Sequence, residues 1–501
     1  MKFFPTQKNR ELDRYTIEHE PIASIDLMER AAVALFDAFS KRFRTEQPVF
    51  VFAGSGNNGG DALALARLLL QSGYRVHVWL VSGGNQLSTD CKINRQRLLS
   101  VFPDSLLDKF SEEDIPHGAV VVDGLFGSGL SRPLSGEVAE VVHFINDLSN
   151  FVVAIDIPSG LNGEENDFQK QISIVKADMT LSLQFPKLAF LLPENELYVG
   201  EWEVLNIGIH PEAIANTASD FHYLEQIDVA PLIKLRSRFG HKGSYGHALV
   251  VAGSLGMAGA AILSSKAALK SGAGLVTLHS AAINNQIVQI SLPEVISQPD
   301  KSADWISKIE HSDQYDAIAI GPGIGAHPET ELALENLFLE TKKAMVIDAD
   351  ALNIIAGRPV LLLKIPKKSI LTPHPKEFDR LFGTHSTHYK RIETARTEAM
   401  KLGAVIVLKG AYTVIALPNG ELWFNSTGNP GMATGGSGDV LTGMLVGLLA
   451  QGYSPESAAK IGVFLHGRAA DLALSVESVE SLIAGNIIDW IGRAFKSVLK
   501  R

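Results

Sequence analysis

Apolar residues along this chain recur with two periods, and the switches between them mark out its elements. From Ile22 to Phe43 the apolar positions 25, 28, 32, 35, 36 and 39 follow a helical spacing, with Asp26, Glu29, Arg30 and Asp37 elsewhere. That predicts an amphipathic helix, whose apolar face suits core packing or a subunit interface. The pattern then changes to short apolar runs that end in glycine and polar residues. Pro48–Ala53 leads into Gly54-Ser-Gly-Asn-Asn-Gly-Gly-Asp61 and a helix from Ala62 to Leu70. Ala119–Val122 leads into Asp123-Gly-Leu-Phe-Gly-Ser-Gly-Leu130, and Phe151–Ile155 into Asp156-Ile-Pro-Ser-Gly-Leu161. Arg75–Val81 alternates like a strand and completes a strand-helix-strand unit. Such repeats predict a parallel sheet with helices on both faces, whose ligands bind beyond the carboxyl ends of the strands. Asn57, Asn58, Asp61, Asp123, Asp156 and Ser159 all fall at that edge. One Asp after a strand is usually a cap or turn residue; three such clusters point to a site.

Ile209–Asp220 follows neither period, so a domain boundary is placed near 215–225, after a last strand pair within Tyr198–Ile209. Ile233–Gly246 is basic and glycine-rich, either a solvated entry loop or a phosphate-facing one. The strand-glycine-helix pattern then resumes. His247–Gly253 precedes a small-residue helix to Lys270, and Gly274–His279 is the next strand. Asp316–Ile320, Ala344–Ile347, Ser369–Thr372 and Ala404–Leu408 each end in a polar turn, and a hairpin through Pro418-Asn-Gly420 reaches Leu422–Phe424. The expected fold class is α/β, with two doubly wound three-layer domains over 1–218 and 225–501.

The totals narrow the function. The 501 residues exceed one ordinary core, and 46% hydrophobic with 20% charged residues describes a globular chain. A formal charge of -10 argues against nucleic acid as a general partner. One cysteine, Cys91, excludes an intramolecular disulfide and a thiolate cluster, and the fifteen histidines show no metal-ligand spacing. The first residues lack a signal-peptide core, and no run approaches the roughly 20 apolar residues a spanning helix needs. A soluble, cytoplasmic protein without membrane partners is expected.

The chemistry concentrates in Thr427-Gly-Asn-Pro-Gly-Met-Ala-Thr-Gly-Gly-Ser-Gly-Asp-Val-Leu-Thr-Gly443, where glycines 435, 436 and 438 precede an apolar helix, Val440–Leu449. A glycine turn opening a helix offers bare N–H groups and the positive dipole end to an anion. Asp439, beside that anion, repels it unless the carboxylate has a proton to take. That suggests phosphoryl transfer with Asp439 as general base; the plainer reading is a tight turn with an Asp at a helix start. No Gly-x-x-x-x-Gly-Lys-Ser/Thr loop occurs. Glycines 54, 56 and 59 fit Gly-x-Gly-x-x-Gly, but the acidic ribose ligand is missing near Trp79–Val81, which disfavours a standard dehydrogenase cradle. Asn58, Asp123 and Ser159 offer hard oxygens with one carboxylate, a set suited to a weakly held monovalent cation.

The three motifs of the first half, in that order and together with Leu27-Met-Glu-Arg-Ala31, resemble the NAD(P)H-hydrate epimerase domain over roughly 10–210. The resemblance implies a Rossmann-like domain with K+ held by Asn58, Asp123 and Ser159. The hydrated dinucleotide would lie on Asn57, Asn58, Gly59, Gly60 and Asp61, on Gly127, Ser128, Gly129, Leu130, Ser131, Arg132 and Pro133, and near Asp156, the proton-transfer residue. At Ala62 this sequence departs from the family's glycine, adding a methyl and restricting positive φ.

Over roughly 230–495, five ordered motifs resemble the ADP-dependent NAD(P)H-hydrate dehydratase of the ribokinase-like superfamily. They are Ala252-Gly-Ser-Leu-Gly-Met-Ala-Gly-Ala-Ala261, Gly321-Pro-Gly-Ile-Gly325, Asp348-Ala-Asp-Ala-Leu-Asn353, Leu371-Thr-Pro-His-Pro-Lys-Glu-Phe378 and Gly435-Gly-Ser-Gly-Asp439. The likeness implies that Ala258, Gly323, His374 and Asp439 contact the hydrated dinucleotide. Lys409, Gly410, Ala411, Tyr412, Thr413 and Gly438 would hold ADP, accompanied by Mg2+. Taken alone, His374 is a proline-flanked turn histidine and Lys409 a strand-end surface lysine.

Together the two likenesses imply repair of hydrated NADH and NADPH (NADHX and NADPHX). The first domain would interconvert R and S hydrates, and the second would dehydrate the S form with ADP, in a homo-oligomer of four or more copies. Two other readings stay open: a ribokinase-like vitamin or sugar kinase fused to a nucleotide-binding domain, and a first domain that only binds nucleotide and recruits a partner.

Overall fold

The computed structural model describes residues 1–107, 109–130, 132–169 and 172–499. Two compact units are present, Lys2–Ser219 and a second from Asp220 onward that includes Met1.

In the first unit a seven-stranded parallel sheet runs in the order 106–107, 76–80, 49–53, 120–124, 151–155, 179–183, 201–205. The strand Val49–Ala53 is buried at every position, as expected of a strand covered on both faces. Its neighbours 76–80 and 120–124 wind away in opposite directions, so the switch point lies beside its carboxyl end. The helix predicted from Ile22 forms over Ser24–Ser40 and buries Leu27, Met28, Ala31, Ala32, Leu35, Ala38 and Phe39.

In the second unit parallel strands follow the order 405–408, 370–371, 345–347, 317–320, 247–251, 275–280, 296–299. The hairpin strands 414–416 and 422–425 extend the sheet antiparallel beside 405–408. Its switch point is at the carboxyl end of His247–Val251. The helix Ser437–Ala450 is buried almost all round, through Val440, Leu441, Met444, Leu445, Val446, Leu448 and Leu449. It packs against the helix Ala258–Lys270 so closely that a Cβ on Gly443 would stand 2.0 Å from Ser264 O. No helix among the described residues is long and apolar enough to cross a membrane.

Several elements differ from the sequence expectation. The helix after the first glycine turn starts at Asn57 rather than Ala62, so Asn57–Asp61 form its first turns. Gly59 is there for close approach: a Cβ on it would sit 1.8 Å from Gly54 O. Ala62 therefore takes ordinary helical φ, and its methyl is fully buried at the backbone of Gly124. The expected strand pair in 198–209 is a short helix, Glu196–Val199, and one strand, Glu201–Leu205. Within the patternless stretch, Pro211 starts a short helix, Pro211–Asn216, by occupying its first turn. The N-terminal helix Thr6–His19 was unforeseen because only Leu12 and Thr16 along it are buried.

Candidate active sites

The first site is built on the strand ends that flank the switch point. Asp123 is fully buried, and its Oδ1 accepts from Ser159 Oγ at 2.6 Å and from Leu125 N–H at 3.2 Å. Its Oδ2 accepts from Ser159 N–H at 2.8 Å. Burial pushes this carboxyl up to about 6 even though those hydrogen bonds oppose it. Ser159 Oγ accepts from Phe126 N–H at 2.8 Å, tying the loop after Asp123 to the loop after Asp156. Asn58 is 8% exposed, and its Nδ2 has no hydrogen-bond partner. Its amide lies against Gly127, whose added Cβ would be 3.2 Å from Asn58 Oδ1. The structure thus brings Asn58, Asp123, Ser159 and Gly127 together.

Asp156 sits beside them at φ 66, a left-handed conformation uncommon for a residue with a side chain. Its Oδ2 accepts from Ser128 N–H at 3.2 Å and its Oδ1 from Lys187 Nζ at 2.5 Å. Burial alone would raise the Asp156 carboxyl, but the Lys187 charge and hydrogen bond win and hold it below the usual range. Lys187 is 1% exposed and also donates to Ser182 Oγ and Phe185 O. Burial and the charges of Asp156, Asp13 and Asp90 push Asp61 well above its ordinary value. Gly129, Arg132 and Pro133 are exposed further along the loop; Ser131 lies outside the described residues.

The second site spans the carboxyl edge of the other sheet. Gly253 N–H donates to Pro322 O, and Ser254 N–H to Gly323 O at 2.6 Å, across its switch point. Gly323 thereby abuts the start of the helix that begins at Ala258; a Cβ there would be 2.7 Å from Met257 Cβ. Lys409 Nζ donates to Asp348 Oδ1 at 2.9 Å and stands 3.9 Å from Glu377 Oε2. Thr442 Oγ1, on the glycine-turn helix, donates to Asp348 Oδ2 at 2.7 Å. A Cβ on Gly438 would lie 3.4 Å from Lys409 Nζ, so the ammonium faces the turn directly.

Gly436 caps the Ser437–Ala450 helix at φ 90, aiming the N–H groups of 437–439 out of the helix start. Asp439 in this first turn is half-buried. Burial, with the Asp348 charge added and Lys409 opposing, raises its carboxyl to about 6. His374 caps the helix Pro375–Phe382, its Nδ1 accepting from Lys376 N–H at 3.1 Å and Glu377 N–H at 3.4 Å. Burial lowers its proton affinity, and Nε2 stands 3.3 Å from Glu377 Oε1. Thr413 Oγ1 accepts from Gly410 N–H at 3.3 Å, closing the Lys409–Thr413 turn in which Ala411 is exposed and Tyr412 half-buried.

Sequence reading did not single out Lys187, Asp13, Thr442 or the pairing role of Asp348. A lysine inside the apolar Phe185–Leu192 run was a usable signal for a buried charge. Asp13, on a polar helix, gave none.

Two α/β units, each with polar groups gathered at its switch point, make a chain with two candidate centres. Residues 248–493 match the family model described as NAD(P)H-hydrate dehydratase, and residues 24–189 the one described as YjeF-related protein N-terminus. The chain is 35% identical to the bifunctional NAD(P)H-hydrate repair enzyme Nnr of Moorella thermoacetica, over 96% of this chain and 94% of that one. It is 36% identical to the Coxiella burnetii protein of the same name, over 97% of each. Among solved structures, a ribokinase-like superfamily protein from Enterococcus faecalis aligns with a TM-score of 0.51 at 27% identity, covering 57% of this chain and 99% of that one. The chain belongs to the bifunctional NAD(P)H-hydrate repair enzymes, which join an epimerase to a dehydratase.

Proposed function

We propose that the second unit dehydrates the S form of NADHX and NADPHX with ADP, yielding NAD(P)H, AMP and phosphate. The observation that carries this is Asp439, a carboxyl raised to about 6 in the first turn of a helix that opens on a glycine turn facing Lys409. Hydroxide leaves a ring poorly, whereas phosphate leaves readily. Asp439 takes the proton of the hydrate's hydroxyl as that oxygen bonds to the terminal phosphorus of ADP and the bond to AMP breaks. The N–H groups of the glycine turn and the Lys409 ammonium stabilise the charge on the transferring phosphoryl group. The carbon–oxygen bond then breaks, the ring nitrogen lone pair supplying the electrons, and loss of a neighbouring ring proton restores NAD(P)H.

The nucleotide lies on Lys409, Gly410, Ala411, Tyr412, Thr413 and Gly438, and the hydrate on Ala258, Gly323, His374 and Asp439. Mg2+ accompanying the nucleotide would neutralise phosphate charge. Among the carboxylates present, Asp348 and Glu377 are already engaged by Lys409, Thr442 and His374, which favours a metal carried by phosphate over one held by the protein alone.

The first unit interconverts the R and S hydrates, with Asp156 as a proton-transfer residue and the Asn57–Asp61 and 127–133 segments around the substrate. Asn58, Asp123 and Ser159 fit K+ as a hard-oxygen set with one carboxylate. The ion would brace the loops against each other. The test is to incubate the protein with the pure S hydrate of NADPH and ADP. Recovery of the reduced-nicotinamide absorbance with equal AMP supports the reading; a stable phosphorylated product and no recovery overturns it.

A further inference from the structure

Three neighbouring strands, 345–347, 370–371 and 405–408, lead at their carboxyl ends into Asp348, into the helix Pro375–Phe382 and into Lys409. Glu377 is the third residue of that helix and is buried. Its Oε2 accepts from His374 N–H at 2.9 Å, the reciprocal bond of a capping box. A cap needs no more than that bond, and it forms equally well at an exposed helix start. Here the carboxylate is taken out of water, which is unfavourable unless charged or hydrogen-bonding groups compensate it. Two side chains stand where they can. His374 Nε2 is 3.3 Å from Oε1, and Lys409 Nζ is 3.9 Å from Oε2. The helix itself has other anchors. Phe378 is fully buried, Asp379 accepts from Arg391 Nε and Nη2 at 2.9 and 2.8 Å, and Arg380 Nη1 donates to Asn353 Oδ1 at 2.7 Å. Loss of the Glu377 charge therefore leaves the helix in place.

We propose that Glu377 is a positioning residue of the dehydratase centre, holding the His374 ring and the Lys409 ammonium in one arrangement. This rests on the dehydratase reading above, in which His374 contacts the hydrate and Lys409 the nucleotide. Phosphoryl transfer from ADP to the hydrate's hydroxyl needs the two molecules aligned at a fixed separation. A carboxylate shared by one residue from each side sets that separation without touching either substrate. The His374 ring is fixed at both nitrogens: Nδ1 accepts from Lys376 N–H and Glu377 N–H, and Nε2 stands against the Glu377 carboxylate. Lys409 is fixed between two carboxylates, Asp348 at 2.9 Å and Glu377 at 3.9 Å. The arrangement carries its own signature. A buried carboxylate beside a phosphate-binding ammonium repels ADP and competes with it for that ammonium. Glu377 thus works against nucleotide affinity and in favour of turnover, a division that a residue serving the fold alone does not produce.

The experiment uses the full chain as the parent, as Glu377→Gln, as His374→Ala and as the double variant. Dehydration of S-NADHX is followed by recovery of NADH, and ADP binding by calorimetry. Glu377→Gln keeps the side-chain shape and an acceptor for His374 N–H while removing the charge. Its kcat is expected to fall by about 10–100-fold, the effect of slightly misaligned reactants. ADP should bind as well as to the parent or up to about tenfold more tightly, because a repelling charge has gone. In the His374→Ala background the same substitution should lower kcat by a factor at least about threefold smaller, since part of what Glu377 holds is already missing. A kcat for Glu377→Gln within about threefold of the parent overturns the proposal. So does ADP affinity that falls together with kcat, which marks disturbed packing, and so does a full, undiminished loss in the His374→Ala background. Failure of the parent itself to form NADH and AMP would instead overturn the dehydratase reading.

Discussion

Lys409 Nζ and Asp348 Oδ1 meet at 2.9 Å beyond the ends of two strands, 405–408 and 345–347, that are kept apart by the strand 370–371 between them. Thr442 fastens the other Asp348 oxygen to the glycine-turn helix at 2.7 Å. One carboxylate thus sets where the ammonium and the helix stand relative to each other, and Asp439 is fixed a turn before Thr442.

Replacing Asp439 by Asn keeps the shape of the first helical turn and removes the proton acceptor. Dehydration of the S hydrate should fall by about 10²–10⁴-fold, with ADP affinity within a few-fold of the parent by calorimetry. Near-normal turnover would remove Asp439 from the role of base.

The pH profile of dehydration should carry a limb near pH 6, activity rising as Asp439 loses its proton. The groups facing Asp439 are Asp348 and Asp350, whose charges raise it, and Lys409, whose charge lowers it. Asp348→Asn should therefore move the limb to lower pH, even as the released Lys409 reduces the rate overall. A limb that stays in place or moves upward would contradict this electrostatic account.

Lys187 and Asp156 form a buried pair, 1% and 11% exposed in their side chains. Lys187→Met leaves the carboxylate without its partner and should cost about 3–5 kcal/mol. Asp156 is held below its ordinary 3.8, so its contribution is present above that pH and disappears as pH falls through the depressed value. Amide exchange in strands 151–155 and 179–183 at pH 7 should accelerate in the variant. Unchanged protection there would show that the pair adds little.

Asp61 has the opposite sign. Its carboxyl is raised, so the folded chain binds the proton more tightly, and the stability it contributes is lost as pH rises from its ordinary 3.8 toward the raised value. Asp61→Asn should make the first unit more stable than the parent at pH 8 and leave the two closer at pH 4, by thermal unfolding. Equal destabilisation at both values would contradict a raised Asp61 carboxyl.

Much of this architecture was legible because both sheets are parallel and buried: runs such as Val49–Ala53 and Val405–Leu408 are apolar throughout and end in glycine turns. Those turns mark the carboxyl edge, the edge at which Asp123, Asp156 and Asp439 are expected from the sequence and found in the structure. The N-terminal helix escaped because polar contacts at Thr6 and Thr16 hold it, leaving no apolar period to read. The start at Asn57 was missed because Gly59 and Gly60 look like loop residues, whereas close packing on Gly54 and Met28 is what demands them. Lys187 was passed over because local pattern cannot tell a buried paired lysine from an exposed one; its partner lies 31 positions away.

The most direct measurement supplies an equal mixture of R- and S-NADPHX with ADP and follows NADPH, AMP and phosphate together. Two cooperating centres predict conversion of the whole mixture, one AMP and one phosphate for each NADPH, and a variant with Asp439→Asn that only exchanges the epimers. Conversion that stops when the S form is spent, or accumulation of a stable phosphorylated dinucleotide, would contradict it.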